Sequence, residues 1–76
     1  MNTFEQDVVA YLSALPKLVG EAAGQYALVG QGHLAKVFPS RDEALTAGYE
    51  TFGAAGFLVQ RISPHDLEMS VHWHHQ

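Results

Sequence analysis

"SRDEALTAGYETFG", residues 40–53, is the stretch that decides the fold. Ser40 and Glu43 have the S-x-x-E spacing of a capping box, which satisfies free backbone N–H groups at the start of a helix. Gly53 is placed to end the same helix as a left-handed C-terminal cap. The stretch therefore predicts a helix over residues 41–52.

The predicted helix carries a glycine in its middle, on the face that holds its apolar side chains. Glycine at such a position costs about 1 kcal/mol relative to alanine. We interpret Gly48 as the point where the helix approaches a sheet closely, which leaves room for the rings of Tyr49, Phe52 and Tyr26. Close approach of a ligand is the alternative. The members of the face are Ala44, Leu45, Gly48, Tyr49 and Phe52.

Three strands are predicted around this helix. "QYALV" (25–29) and "HLAKVF" (33–38) are rich in β-branched and aromatic residues, and they are separated by "GQG". We expect a hairpin in which Gly30 and Gly32 supply the positive φ angles of the turn. "GFLVQRI" (56–62) is the third predicted strand.

An N-terminal helical segment is indicated by apolar residues spaced three and four apart between residues 3 and 23. Pro16 interrupts this pattern. It either kinks a single helix or lies in the first turn of a second one, where its missing N–H costs nothing. We favour two short helices that meet near Leu15. The members of the predicted apolar face are Phe4, Val8, Leu12, Leu15, Val19 and Ala22.

These elements predict one small α+β domain over residues 1–76, in which an N-terminal helix is followed by a ββαβ unit. We expect a three-stranded mixed sheet of order 2-1-3, with a right-handed crossover that makes the last strand antiparallel to the first. Residues 65–76 form a tail or a short extra strand. The strands are apolar on both faces, so the sheet needs two covers. The N-terminal helix supplies the second cover, or another chain does.

Residues 24–62 resemble a family of short uncharacterised prokaryotic domains of unknown function. The resemblance rests on a G-x-Y-A-L strand, an E-A-L-x-x-G helix and an F-G-x-x-x-F-L-V-x-x-I strand, and it covers about half of the chain. It implies this architecture and no activity, because the shared residues are caps, turns and core positions. They are Gly24, Tyr26, Ala27, Leu28, Glu43, Ala44, Leu45, Gly48, Phe52, Gly53, Phe57, Leu58, Val59 and Ile62.

Composition excludes several classes of protein. The chain of 76 residues is 47% hydrophobic, has no cysteine and carries a net charge of -4. Its four scattered cations do not form a surface for nucleic acid, and no apolar run approaches the roughly 20 residues that span a bilayer. The N-terminus lacks the pattern of a signal peptide. We therefore expect a cytoplasmic protein that binds neither nucleic acid nor membrane.

The C-terminal histidines are the residues most able to bind a metal. If residues 70–75 are extended, His72 and His74 project from the same face, and His75 adds a third imidazole. Such a pair chelates zinc or another divalent metal, with His65, Asp66 or a neighbouring chain as a further ligand. The alternative is a solvated tail with no bound metal.

The sequence shows no catalytic constellation. Its acidic residues are interpreted as solubilising charge on outward helix faces, and no serine has a visible base partner. We therefore predict that the protein is not an enzyme and has no cofactor. The expected function is a non-catalytic interaction module that binds a protein partner or forms a homodimer. The alternative is a metal-binding accessory protein that uses the histidine cluster. The acidic residues considered are Glu5, Asp7, Glu21, Asp42, Glu43 and Glu50.

Overall fold

The computed structural model describes residues 3–65, which form an α+β domain with the predicted order of elements. Most of the predicted tail or extra strand at residues 65–76 lies outside the described residues. The elements are helix α1 (Thr3–Ala22), strands β1 (Tyr26–Gly30) and β2 (His33–Phe38), helix α2 (Arg41–Phe52), a 3₁₀ turn (Gly53–Ala55) and strand β3 (Leu58–Arg61).

The sheet has the predicted order β2-β1-β3, with β1 in the centre. β3 runs antiparallel to β1, as predicted, and β2 is also antiparallel to β1. The expectation of a mixed sheet was wrong in this detail. β2 and β3 do point in the same direction, but β1 separates them, so no parallel pair shares hydrogen bonds.

The hairpin turn between β1 and β2 consists of two residues, Gln31 and Gly32, with φ angles of 54° and 80°. Two central residues with positive φ are the mark of a type I′ turn, which matches the twist of the strands. The prediction for Gly32 is confirmed, whereas the one for Gly30 was wrong. Gly30 is a strand residue, and a Cβ added there would lie 2.5 Å from Cζ of Phe52. Its lack of a side chain makes room for that ring.

Helix α1 is continuous through Pro16, so the interpretation of two short helices was wrong. Proline removes one backbone hydrogen bond and crowds the preceding turn. Its ring lies on the exposed side of α1. Leu15 and Leu18, on the opposite side, are 0% and 6% exposed. The burial of apolar side chains on both sides of the proline holds the helix together.

The buried face of α1 differs from the predicted one. Asp7, Tyr11, Leu15 and Leu18 are the buried residues of this helix, whereas Phe4 is 63% exposed. The prediction missed Asp7 and Tyr11 because both carry polar groups, and it missed Leu18 because the predicted row ran through Val19. Each polar group has a backbone partner: Oδ1 of Asp7 accepts a hydrogen bond from the Gly32 N–H at 2.8 Å, and the Tyr11 hydroxyl donates to the Arg61 carbonyl at 3.2 Å. A polar group that keeps a hydrogen bond can be buried at little cost.

The two helices cover opposite faces of the sheet. Ala27 and Val29 of β1 pack with α1 in the main core, together with Ile62. Leu28 alternates with them and is 2% exposed on the other face, which α2 covers. Within residues 3–65, α1 and α2 make no contact with each other. The chain thus supplies both covers that the two-sided apolar strands require.

Helix α2 has the predicted bounds and cap. The Glu43 N–H donates to Oγ of Ser40 at 3.2 Å, and the Gly53 N–H donates to the Tyr49 carbonyl. Gly53 has the positive φ that was predicted, at 53°, but its ψ of -129° lies outside the left-handed helical region. That combination is accessible to glycine almost alone.

Gly48 is buried where α2 approaches the sheet, as predicted, but the ring that fills the space belongs to Phe57. A Cβ added to Gly48 would overlap this ring. Tyr49 was expected on the buried face and is 68% exposed. Its ring instead meets the Phe57 ring edge-on, with the centroids 5.1 Å apart.

Pro16→Ala should stabilise the protein by about 1–3 kcal/mol, because it restores a hydrogen-bond donor inside a continuous helix. Urea unfolding measures the change. Ser13→Ala, at another exposed position of α1, is the control and should change the free energy of unfolding by at most about 0.5 kcal/mol. An unchanged or lower stability of Pro16→Ala would contradict a continuous helix, because it would indicate that Pro16 lies in the first turn of a second helix.

Gly48→Ala should destabilise the protein, since overpacking typically costs about 1–3 kcal/mol and exceeds the gain of about 1 kcal/mol in helix propensity. Gly20→Ala is the matched control, because Gly20 is a helical glycine with no atom within 4 Å of its added Cβ. It should stabilise. Thermal melts of both variants test the pair, and Phe57→Leu should reduce the cost of Gly48→Ala. A higher melting temperature for Gly48→Ala would contradict close packing.

Candidate functional site

The predicted metal ligands His72, His74 and His75 lie outside the described residues, as does Asp66. His65 is exposed, and its backbone N–H donates to Oγ of Ser63 at 3.3 Å. Between residues 3 and 65, no three histidine or acidic side chains come together in a group that could hold a metal ion. The metal site therefore stays a prediction that rests on the sequence alone.

A shallow, wide-open groove of about 420 Å³ lies beside α2, on the face of the sheet opposite α1. α2 is placed mainly over β1 and β3, so it leaves part of β2 uncovered. Phe38, the last residue of β2, pairs with Tyr26 and therefore faces the α2 side. The groove has the half-buried Phe38 ring on one side and the flank of α2 on the other. It is lined by Phe38, Asp42, Glu43, Thr46, Ala47 and Glu50.

The spacing of residues along α2 explains how these side chains form one wall. Asp42, Thr46 and Glu50 follow each other at intervals of four, and so do Glu43 and Ala47, which places both rows on neighbouring strips of the helix. The capping box orients one carboxylate: the Ser40 hydroxyl donates to Oε2 of Glu43 at 3.0 Å. The wall therefore carries three carboxylates, the Thr46 hydroxyl and the methyl group of Ala47.

A cation lies over the Phe38 ring, and it belongs to Lys36, two residues earlier on β2. Its Nζ lies 5.4 Å from the ring centroid, within the range of a cation–π interaction. Lys36 is exposed and shares the face of the strand with Phe38. The Phe38 ring, which lines the groove, thus already holds a positive charge over one of its faces.

A second surface is formed by three aromatic rings at the C-terminal end of α2. Phe57 stacks on Phe52 with the centroids 6.3 Å apart and meets Tyr49 edge-on. Phe52 and Phe57 fill the spaces over Gly30 and Gly48. These contacts explain the rings as packing, and they distinguish this cluster from the groove, where the Phe38 ring borders open space.

Exposed titratable side chains lie at the hairpin and along α2. His33 is exposed at the start of β2. Asp42, Glu43 and Glu50 are exposed, as predicted, but they share one groove. Asp7 was predicted on an outward face and is buried instead, because its carboxylate binds the hairpin turn. The groove itself was missed, since no motif in the sequence shows where α2 sits across the sheet.

No known family model matches the chain, and neither a curated protein nor a solved structure is detectably similar to it. The resemblance to a family of short prokaryotic domains therefore stays a prediction. Among residues 3–65, no helix is both long enough and apolar enough to cross a membrane.

Proposed function

We propose that this chain is a small non-catalytic protein-interaction module, and that its docking surface is the groove between Phe38 and α2. The observation that carries the proposal is an open concavity with apolar and charged walls beside a sheet whose two faces are otherwise covered by the chain's own helices. An apolar contact inside a polar rim is the arrangement found in protein interfaces.

The chemistry of the lining supports binding in preference to catalysis. Its polar side chains are three carboxylates and the Thr46 hydroxyl, and the described residues that line it include no histidine, cysteine or lysine. Nucleophilic catalysis requires an activated nucleophile beside a base that a third group orients. Glu43 is instead engaged by the hydroxyl of the helix cap. The lining offers an aromatic contact and charge, which are the means by which a partner is held.

A foreign partner is favoured over a second copy of the chain. The sheet edges are the surfaces on which copies would pair, and edge strands are protected by lysine, bulges or shortness. β2 carries Lys36 and a bulge at Ala35, which has no partner in the register with β1. β3 has four residues, and its Arg61 carbonyl accepts hydrogen bonds from Tyr11 and Gln60. A partner in the groove needs neither edge.

Thr46→Arg should abolish capture of the partner, because the long side chain fills the groove while arginine keeps the helix propensity of this exposed position. Affinity capture from the native cell, followed by mass spectrometry, measures the loss. Ser13→Arg makes the same kind of change at an exposed position of α1 and should retain the partner. Equal capture by both variants and the unchanged chain would show that the groove is not the interface.

A further inference from the structure

The groove is selective in its charge. Asp42, Glu43 and Glu50 place three carboxylates on the α2 wall, within a chain whose eight acidic residues outnumber four basic ones. Complementary charge steers association and excludes partners of the same sign. An acidic segment entering here would meet like charge along the whole wall, whereas a basic segment would find partners along it.

The Phe38 ring adds a second feature that favours a cation. Lys36 already holds its ammonium group 5.4 Å from the ring centroid. This lysine is exposed and carries a flexible stem, so its head group can be displaced into water by an incoming lysine or arginine. The aromatic side and the acidic wall therefore favour the same class of ligand.

We infer that the groove binds a basic segment of a partner protein, in which lysine or arginine alternates with apolar side chains. The inference rests on the proposed function and specifies the chemistry of the partner. Apolar side chains of the segment contact Ala47 and the Phe38 ring, and its cations meet Asp42 and Glu50. A second copy of the chain does not fit this description. Its only cations, Lys17, Lys36, Arg41 and Arg61, are too widely spaced to form a basic segment.

The test uses two synthetic peptides of about 15 residues, which span about 50 Å when extended and so reach past the whole groove. One alternates leucine with lysine and arginine, and the other replaces every basic residue by glutamate. Each is titrated into the full chain labelled with ¹⁵N, and the amide shifts map the bound surface. We expect the basic peptide to shift Phe38, Thr46 and Glu50, with an affinity that falls as salt is added. The glutamate peptide should leave these amides unchanged.

Single charge changes then locate the interaction. Glu50→Gln should weaken binding of the basic peptide about two- to fivefold, the range of one exposed ion pair. Glu21→Gln removes the same charge from an exposed glutamate of α1, on the other side of the sheet, and should have no effect. Lys36→Gln should strengthen binding, because it removes a positive charge beside the groove that repels a basic peptide. Phe38→Leu should weaken it while preserving an apolar side chain.

Equal weakening by Glu21→Gln and Glu50→Gln would overturn the inference, since binding would then follow net charge alone. Failure of the basic peptide to bind would also overturn it, and the Thr46→Arg capture would still decide the proposed function separately. If the glutamate peptide shifts the groove amides, the groove binds proteins but the chemistry assigned to the partner is wrong. Concentration-dependent shifts of the same amides without peptide would identify a second copy as the occupant.

Discussion

The fold depends on the burial of β1 from both sides. Ala27 and Val29 face α1 and are 0% exposed, and Leu28 faces α2 and is 2% exposed. The middle of this strand of five residues therefore has no solvated face. A central strand of this kind is stable only when both neighbouring layers are present. In a chain of 76 residues, which buries only about 60% of its unfolded surface, neither layer can be spared.

Close approach of α2 to the sheet has a consequence for function. Gly48 and Gly30 each leave a space that a phenylalanine ring fills, Phe57 in the first case and Phe52 in the second. These contacts hold α2 mainly over β1 and β3 and leave β2 partly uncovered. The groove beside Phe38 is therefore a product of how the glycines position the helix. The packing of α2 on the sheet therefore determines where the proposed docking surface lies.

The sequence predicted the features that depend on local chemistry. The capping box at Ser40 and the glycine at position 53 predicted the bounds of α2. The β-branched and aromatic run "HLAKVF" (33–38) predicted β2. Predictions failed where tertiary contacts override local preference. Pro16 was expected to divide a helix that core packing keeps continuous, and Asp7 was expected to face solvent. The groove could not be predicted, because it depends on the position of α2 across the sheet. The spacing of Asp42 and Glu50 places them on one helical strip, and the position of α2 makes that strip a wall of the groove.

Native-state hydrogen exchange tests most directly whether one chain supplies both covers of β1. We predict that the amides of Ala27, Leu28 and Val29 exchange only through global unfolding, since amides in a core strand have the highest protection in a protein. Their rates should not change when the protein is diluted, because no second chain contributes to the burial. Exchange of these amides that becomes faster on dilution would contradict the account, and so would exchange faster than that of the edge strands.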